Sequence, residues 1–118
     1  MESILETVKI SLGIMPEYEH FDQAIIGYIN MALATIQQLG VGSEGGFRVV
    51  DANNQWNEFI PDDPMYEIVK TYVSQKVRVA FDPPSSSFVL EALNKSIAEL
   101  EWRISMLPEF EKGGDSNG

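Results

Sequence analysis

The sequence contains no cysteine and only one histidine. Without a thiol, the chain can form neither a disulfide framework nor a thiolate nucleophile. His20 lies at the predicted entrance of a helix and has no flanking nucleophile motif, so we interpret it as a surface or capping residue. The chain also lacks zinc-ligand spacing and a phosphate-binding P-loop. We therefore predict that the protein is not an enzyme and has no catalytic residue, no metal site and no cofactor.

Basic residues are scarce throughout the chain. Eight lysine and arginine residues face 18 aspartate and glutamate residues, which gives a formal net charge of −10. The deficit holds in both halves, because residues 1–60 carry 2 basic and 8 acidic groups and residues 61–118 carry 6 and 10. Surfaces that hold nucleic acid need clustered lysine and arginine. The composition therefore argues against a nucleic-acid-binding surface.

Long apolar runs are missing as well. The longest uncharged stretch lies between Asp22 and Glu44, but Asn30 and Gln37 interrupt it. It falls short of the roughly 20 apolar residues that cross a bilayer, so we predict no membrane association. The spacing instead predicts a helix over residues 20–39, either at the centre of a bundle or packed on both its own core and a neighbour.

Helical periodicity is the dominant pattern that the sequence does contain. Ser3 and Glu6 have the spacing of a capping box, and the apolar stripe that follows predicts a short first helix ending near Gly13. Pro64, just after the capping residue Asp63, opens a third helix.

A proline-rich turn separates the third helix from the fourth. Proline disfavours the helical conformation in the residue before it and donates no backbone hydrogen bond, so the third helix must end here. A short connection favours antiparallel neighbours, and the pattern predicts a long helical hairpin in which Pro108 ends the last helix after Leu107. The turn residues are Asp82, Pro83, Pro84 and Ser85.

The fourth helix carries two apolar faces. One is a seam with nearly coiled-coil spacing, and the other lies on a separate side of a wheel drawn at about 100° per residue. The seam consists of Val89, Leu93, Ile97, Leu100, Ile104 and Leu107. We name the second set, Phe88, Ala92, Trp102 and Met106, the outer face. A single small bundle buries only one of them, so we predict that the other meets a neighbour.

Lys76 is the exception within the third helix. It projects from the middle of an apolar arc that includes Val69 and Tyr72. Burying an unpaired ammonium would cost several kcal/mol. We therefore expect Lys76 to reach solvent, a carboxylate or a polar cavity.

The segment between the second and third helices mixes aromatic and polar residues. Trp56 and Phe59 follow a polar run with Asn53 and Asn54 at its centre, which predicts a short β-like hairpin or a loop. We expect this segment to pack on the bundle or on a neighbouring subunit. The predicted subunit or partner interface comprises Trp56, Phe59, Lys76, Phe88, Trp102 and Met106.

Gly40, Gly42 and Gly45 match the dinucleotide fingerprint G-x-G-x-x-G. The context is reversed, because a helix precedes the run and an extended segment follows it. No helix N-terminus is then available to hold a pyrophosphate. We interpret Gly40 as a helix stop followed by a turn.

Together, these patterns predict a mainly α fold. The expected architecture is a small four-helix bundle with a long antiparallel C-terminal hairpin and a short β-like hairpin or loop between helices 2 and 3. We predict one helical domain over residues 1–107 and a polar, flexible tail over residues 108–118.

Four segments resemble one protein family. They are residues 77–88 (VRVAFDPPSSSF), 99–103 (ELEWR), 39–42 (LGVG) and 56–60 (WNEFI). In these segments, and more loosely over nearly the whole chain to Leu107, the sequence resembles small tailed-phage and prophage head-to-tail connector, or adaptor, proteins.

The resemblance implies a structural protein of the virion that is assembled in the host bacterial cytoplasm. In that family, subunits form a homo-oligomeric ring of about a dozen copies on the portal protein. The ring extends the channel for DNA, which passes without sequence-specific binding, and it offers a docking platform to the next neck or tail-completion protein.

Two other functions fit parts of the sequence. A small acidic helical adaptor or regulator would bind a single protein partner through the wide second helix, without ring formation. A nucleotide-binding protein would use the glycine run, and nucleotide would then raise its melting temperature.

Overall fold

Four α-helices account for most of the chain in a computed structural model, which describes residues 2–43 and 45–115, with side chains as far as Pro108. The helices are α1 (Ile4–Ser11), α2 (Asp22–Gln38), α3 (Glu67–Phe81) and α4 (Ser87–Asp115). Short 3-10 helices span Trp56–Glu58 and Pro64–Tyr66. No strand forms within the described residues, where the one β-type pairing is an isolated antiparallel bridge between Ser3 and Gln55.

Side chains and carbonyls cap the helices where the sequence places suitable residues. The Ser3 hydroxyl accepts a hydrogen bond from the backbone N–H of Glu6 at 3.2 Å. Asp63 Oδ1 accepts one from the N–H of Met65 at 2.9 Å, directly before the helical turn that Pro64 opens. Of the three serines that lead into α4, Ser86 accepts the N–H of Val89 on its hydroxyl at 3.4 Å.

Helix α3 is the centre of the bundle, since it packs against α1, α2 and α4. Its fully buried side chains include Val69, Tyr72 and Val77. α4 returns antiparallel to α3 across residues 82–86, as predicted, and α2 packs on α1 and α3. The inner seam of α4 fills the remaining side of the core with Ile97, Leu100, Ile104 and Leu107.

The last helix is longer than predicted. α4 continues to Asp115 with Pro108 inside it, so the prediction that Pro108 ends this helix is wrong. A single proline removes one backbone hydrogen bond and crowds the preceding turn, which kinks a helix as readily as it ends one. The Pro108 ring packs over Gly40, where an added Cβ would lie 3.2 Å from Cγ of the proline. The flexibility of residues 108–118 stays a prediction, and residues 116–118 lie outside the described part of the chain.

The segment before α3 is a loop rather than a hairpin. The side chain of Asn30 bonds both backbone groups of Val49, accepting from its N–H at 2.7 Å and donating to its carbonyl at 3.0 Å. Further along, the backbone N–H of Ile4 donates to the carbonyl of Asn54 at 3.0 Å. Helix side chains and the N-terminal segment therefore supply the partners that a second strand would have provided.

A buried ion pair joins the start of the chain to α2. Lys9 is 1% exposed, and its ammonium lies 2.8 Å from Asp22 Oδ1 and 2.8 Å from the carbonyl oxygen of Pro16. The two acceptors compensate for the desolvation of a charge that would otherwise be costly to bury. This pair fixes the turn between α1 and α2.

Candidate interaction surface

The outer face of α4 is open to solvent. Phe88 is 80% exposed and Trp102 is 65% exposed, while Ala92 is exposed and Met106 is half-buried. The inner seam of the same helix is buried, apart from a half-buried Leu93 and an exposed Val89 near its start. Two exposed aromatic side chains on one face are typical of a surface that another molecule covers.

A groove flanks the outer face where the end of α4 passes the start of α3. It is open and has a volume of about 410 Å³. The side chains along it are apolar except for Arg103. The lining residues are Met65, Ile68, Trp102, Arg103, Met106 and Leu107. Such a groove suits an apolar side chain more than a polar small molecule.

Lys76 meets a carboxylate, which was one of the three expected outcomes. It is 43% exposed, and its ammonium lies 3.9 Å from Glu101 Oε2. The same oxygen accepts a 2.7 Å hydrogen bond from the buried hydroxyl of Tyr72. Burial raises the pKa of Tyr72 above its ordinary value, and the hydrogen bond to the carboxylate raises it further. Glu101 therefore holds α3 and α4 together, a role that the helical pattern did not reveal.

The two aromatic residues of the loop face inward. Trp56 is 2% exposed and donates its indole N–H to the hydroxyl of Thr7 at 3.2 Å. Phe59 is equally buried and stacks near Phe47, with ring centroids 5.6 Å apart. Of the two alternatives for this segment, it packs on its own bundle. A contact to another subunit through these side chains would require the loop to rearrange.

The glycine run is explained by packing. Gly42 has φ +109°, and a Cβ there would come within 2.5 Å of the Phe59 ring. α2 ends at Gln38 before the run, and the next helical turn begins only at Trp56. The described glycines therefore have no helix N-terminus beside them to receive a pyrophosphate.

A comparison with protein families shows what kind of protein carries this surface. A model of the phage connector proteins matches residues 4–110, which is most of the chain. The chain belongs to the phage connector protein family. The resemblance inferred from the sequence is thereby confirmed. No curated protein and no solved structure matches the chain.

Family membership gives the chain a structural role in connecting phage head and tail. A phage connector is a component of the virion and contacts other virion proteins. The outer face and its groove are apolar surfaces on the described helices of this connector that are free for such contacts.

A second aromatic cluster of the connector lies at the opposite end of α3. The rings of Phe21 and Phe81 meet edge to face with centroids 5.3 Å apart, and His20 contacts Phe21 at 4.8 Å. Tyr18 completes the cluster at 5.9 Å from Phe21. This cluster joins residues 18–21 to the distant end of α3, a contact that no local pattern in the sequence could have indicated.

The described part of the connector has neither a membrane-spanning helix nor a metal-binding cluster. Within residues 2–43 and 45–115, no helix is both long enough and apolar enough to cross a membrane. Among the described side chains, those of residues 2–43 and 45–108, no group of three or more acidic, histidine or cysteine residues is placed to hold a metal ion.

Proposed function

We propose that this chain is a head-to-tail connector subunit that assembles into a ring on the portal protein. In this role the ring extends the channel for DNA and offers a docking platform to the next neck or tail-completion protein. The subunit performs no catalysis, and it assembles in the host bacterial cytoplasm before entering the virion. The outer face of α4 is the observation that supports this proposal.

A ring covers such a face without any additional protein. In a closed ring each copy uses one surface to contact the copy before it and another to contact the copy after it. Phe88 and Trp102 lie 14 residues apart on α4, which is about 21 Å at 1.5 Å per residue. Exposed aromatic anchors at this spacing supply the buried core that a stable interface needs.

We assign Phe88, Trp102 and Met106 to the contact between subunits. Lys76 stays a predicted contact, because part of its side chain remains exposed beside Glu101. Trp56 and Phe59 are left out of the proposed interface, since both already belong to the core of the subunit.

The charge of the chain suits a passage for DNA. A formal net charge of −10 repels phosphate groups. A ring of such subunits would let the duplex slide, where clustered lysine and arginine would retain it.

The proposal is tested by adding purified protein to capsids that carry the portal and imaging the vertex by electron microscopy. We expect the wild-type protein to add a ring at that vertex. Phe88→Ala and Trp102→Ala should reduce the amount bound about tenfold or more, because truncating a central aromatic anchor weakens an interface by at least 1 to 2 kcal/mol. Both variants should keep the melting temperature of the wild type.

Met31→Ala is the matched control, because Met31 is exposed on α2 and does not belong to the outer face of α4. It should bind capsids as well as the wild type does. Binding of one copy to one partner without a ring would favour the small adaptor instead. Loss of folding in both aromatic variants would show that the outer face belongs to the core.

A further inference from the structure

The exposed side of α4 has a palindromic sequence centred on Lys95. Residues 88–102 read FVLEALNKSIAELEW, so that equal steps to either side of Lys95 reach residues of the same kind at every step but the sixth, where Val89 stands opposite Glu101. Alanine stands three residues away in both directions, glutamate four residues away, and an aromatic residue seven residues away. We name these seven residues the palindromic strip: Phe88, Glu91, Ala92, Lys95, Ala98, Glu99 and Trp102.

Every member of the palindromic strip is exposed in the subunit. The side chain of Lys95 is 79% exposed, and the two aromatic ends are among the most exposed large apolar residues described. The residues between them that point inward belong to the seam that packs on α3. The palindromic strip is therefore part of the free surface of α4.

A surface with this pattern is complementary to a second copy of itself. A two-fold axis brings identical patches together, with residue i of one copy opposite residue j of the other and residue j opposite residue i. We propose that the palindromic strip binds the same strip of a second copy, with the two α4 helices antiparallel and the axis beside Lys95. This inference does not depend on the ring proposed above.

The ends of the strip fit each other in this arrangement. Phe88 of one copy lies opposite Trp102 of the other, next to the apolar groove that Met65 and Met106 line. A two-fold axis perpendicular to the two helices keeps corresponding flanks of both copies on the same side. Phe88 of the other copy therefore points toward the flank of Trp102 on which the groove lies. Each copy then fills the groove of the other with its most exposed aromatic ring.

The centre of the strip provides matching charges. Glu91 and Glu99 lie about 40° to either side of Lys95 on the helical wheel. Glu91 stays with its own Lys95, at 3.7 Å. Glu99 of one copy lies on the flank where Lys95 of the other copy can reach it past the small side chain of Ala92. The pair therefore gains two ion pairs between copies, one at each Lys95.

The contact is short, and its affinity follows from its size. A contact along one helix face about 21 Å long buries less area than the roughly 1,600 Å² of a standard stable complex. We expect a dissociation constant on the order of micromolar, and hence a dimer that separates when α4 is needed elsewhere. The dimer and the proposed ring both use Phe88 and Trp102, so the two assemblies would exclude each other.

The first test measures the mass of the free full-length protein by light scattering across a series of concentrations. We expect monomers at low micromolar concentration and dimers at the highest. Lys95→Glu should raise the dissociation constant about tenfold or more, because it places six carboxylates at the centre of the contact. Arg48→Glu is the control: it makes the same change of charge on an exposed loop residue and should leave the dimer intact.

The second test uses the absence of native cysteine to read the register. Lys95→Cys alone should form a covalent dimer under mild oxidation, because residue 95 lies on the axis. Glu91→Cys and Glu99→Cys should each remain uncrosslinked, since like positions lie about 12 Å apart, beyond the reach of a disulfide. A mixture of these two variants should give a mixed disulfide. Asn94→Cys is exposed on the same helix but off the strip, and it should not react.

Three results would overturn the inference. The free protein could remain monomeric at all concentrations, it could form rings with no dimer, or Glu91→Cys could crosslink with itself as a parallel pair would. Rings without a dimer would support the proposed function while refuting the dimer. A protein that stays monomeric at all concentrations would refute the dimer and leave the capsid experiment to decide the proposed function. Wild-type melting temperature in each variant shows that a loss of dimer is not a loss of folding.

Discussion

The two tryptophans of this chain have opposite environments. Trp56 lies in a loop, is 2% exposed and donates its indole N–H to Thr7. Trp102 lies on the regular helix α4 and is 65% exposed. Loop residues are more often at the surface, and regular helices usually hide their large aromatic residues. The inversion indicates that the loop serves the stability of the subunit, while the outer face of α4 stays free for the contacts proposed above.

Truncating each tryptophan to alanine is the most direct test of this difference between the loop and the outer face. Trp56→Ala should lower the free energy of unfolding by about 3 to 5 kcal/mol, because it opens a cavity and leaves Thr7 without its donor. Trp102→Ala should change it by less than about 1 kcal/mol. Urea denaturation of both variants measures the two values. Equal losses would mean that Trp102 also supports the core.

A pair of glycines extends the comparison from side chains to the backbone. Gly42→Ala should cost about 2 kcal/mol or more, because its φ of +109° is unfavourable for alanine and the new Cβ would meet Phe59 at 2.5 Å. Gly27→Ala, on an open side of α2 with nothing within 4 Å, should stabilise the protein by about 0.5 to 1 kcal/mol. Opposite signs in thermal melting would confirm that the glycine turn is held by packing.

A smaller loss than for Trp56 or Gly42 is expected at the hydrogen bond that joins α3 to α4. Tyr72→Phe should cost about 1 to 1.5 kcal/mol, because it removes the donor to Glu101. The raised pKa of Tyr72 adds a pH dependence. In the unfolded chain tyrosine ionises near pH 10, so this stabilisation is complete below that pH and decreases above it. Denaturation at pH 8 and pH 10.5 should show a decrease for the wild type that Tyr72→Phe largely lacks.

The features of the fold that could be predicted from the sequence are those that depend on neighbouring residues and on helical periodicity. The apolar spacing in α4 predicted both an inner seam and an outer face, and the exposure of Phe88 and Trp102 agrees with that separation. The prolines after Asp82 placed the hairpin turn, because their effect on the backbone is confined to neighbouring residues. The same local rule failed at Pro108, where α4 continues past a proline whose ring packs on Gly40.

Contacts between distant segments could not be predicted in this way. Asn30 interrupts an apolar helix, and its amide bonds the backbone of Val49, a contact that the sequence does not indicate. Lys9 looks like a surface residue until Asp22 is found beside it. In both cases a polar side chain is satisfied by a partner that no helical or strand period connects to it. The burial of Trp56 has the same origin.

The link between Trp56 and Thr7 has a consequence for the order in which the chain folds. The two residues are 49 positions apart, whereas α3 and α4 meet across a short turn. Closing a long loop costs more entropy than closing a short one, so the helical hairpin should form early and the N-terminal segment should dock late. Contacts absent from the transition state mainly govern how fast the native state opens. The lifetime of the folded subunit therefore depends on its first helix and on a loop that lies outside the proposed interface.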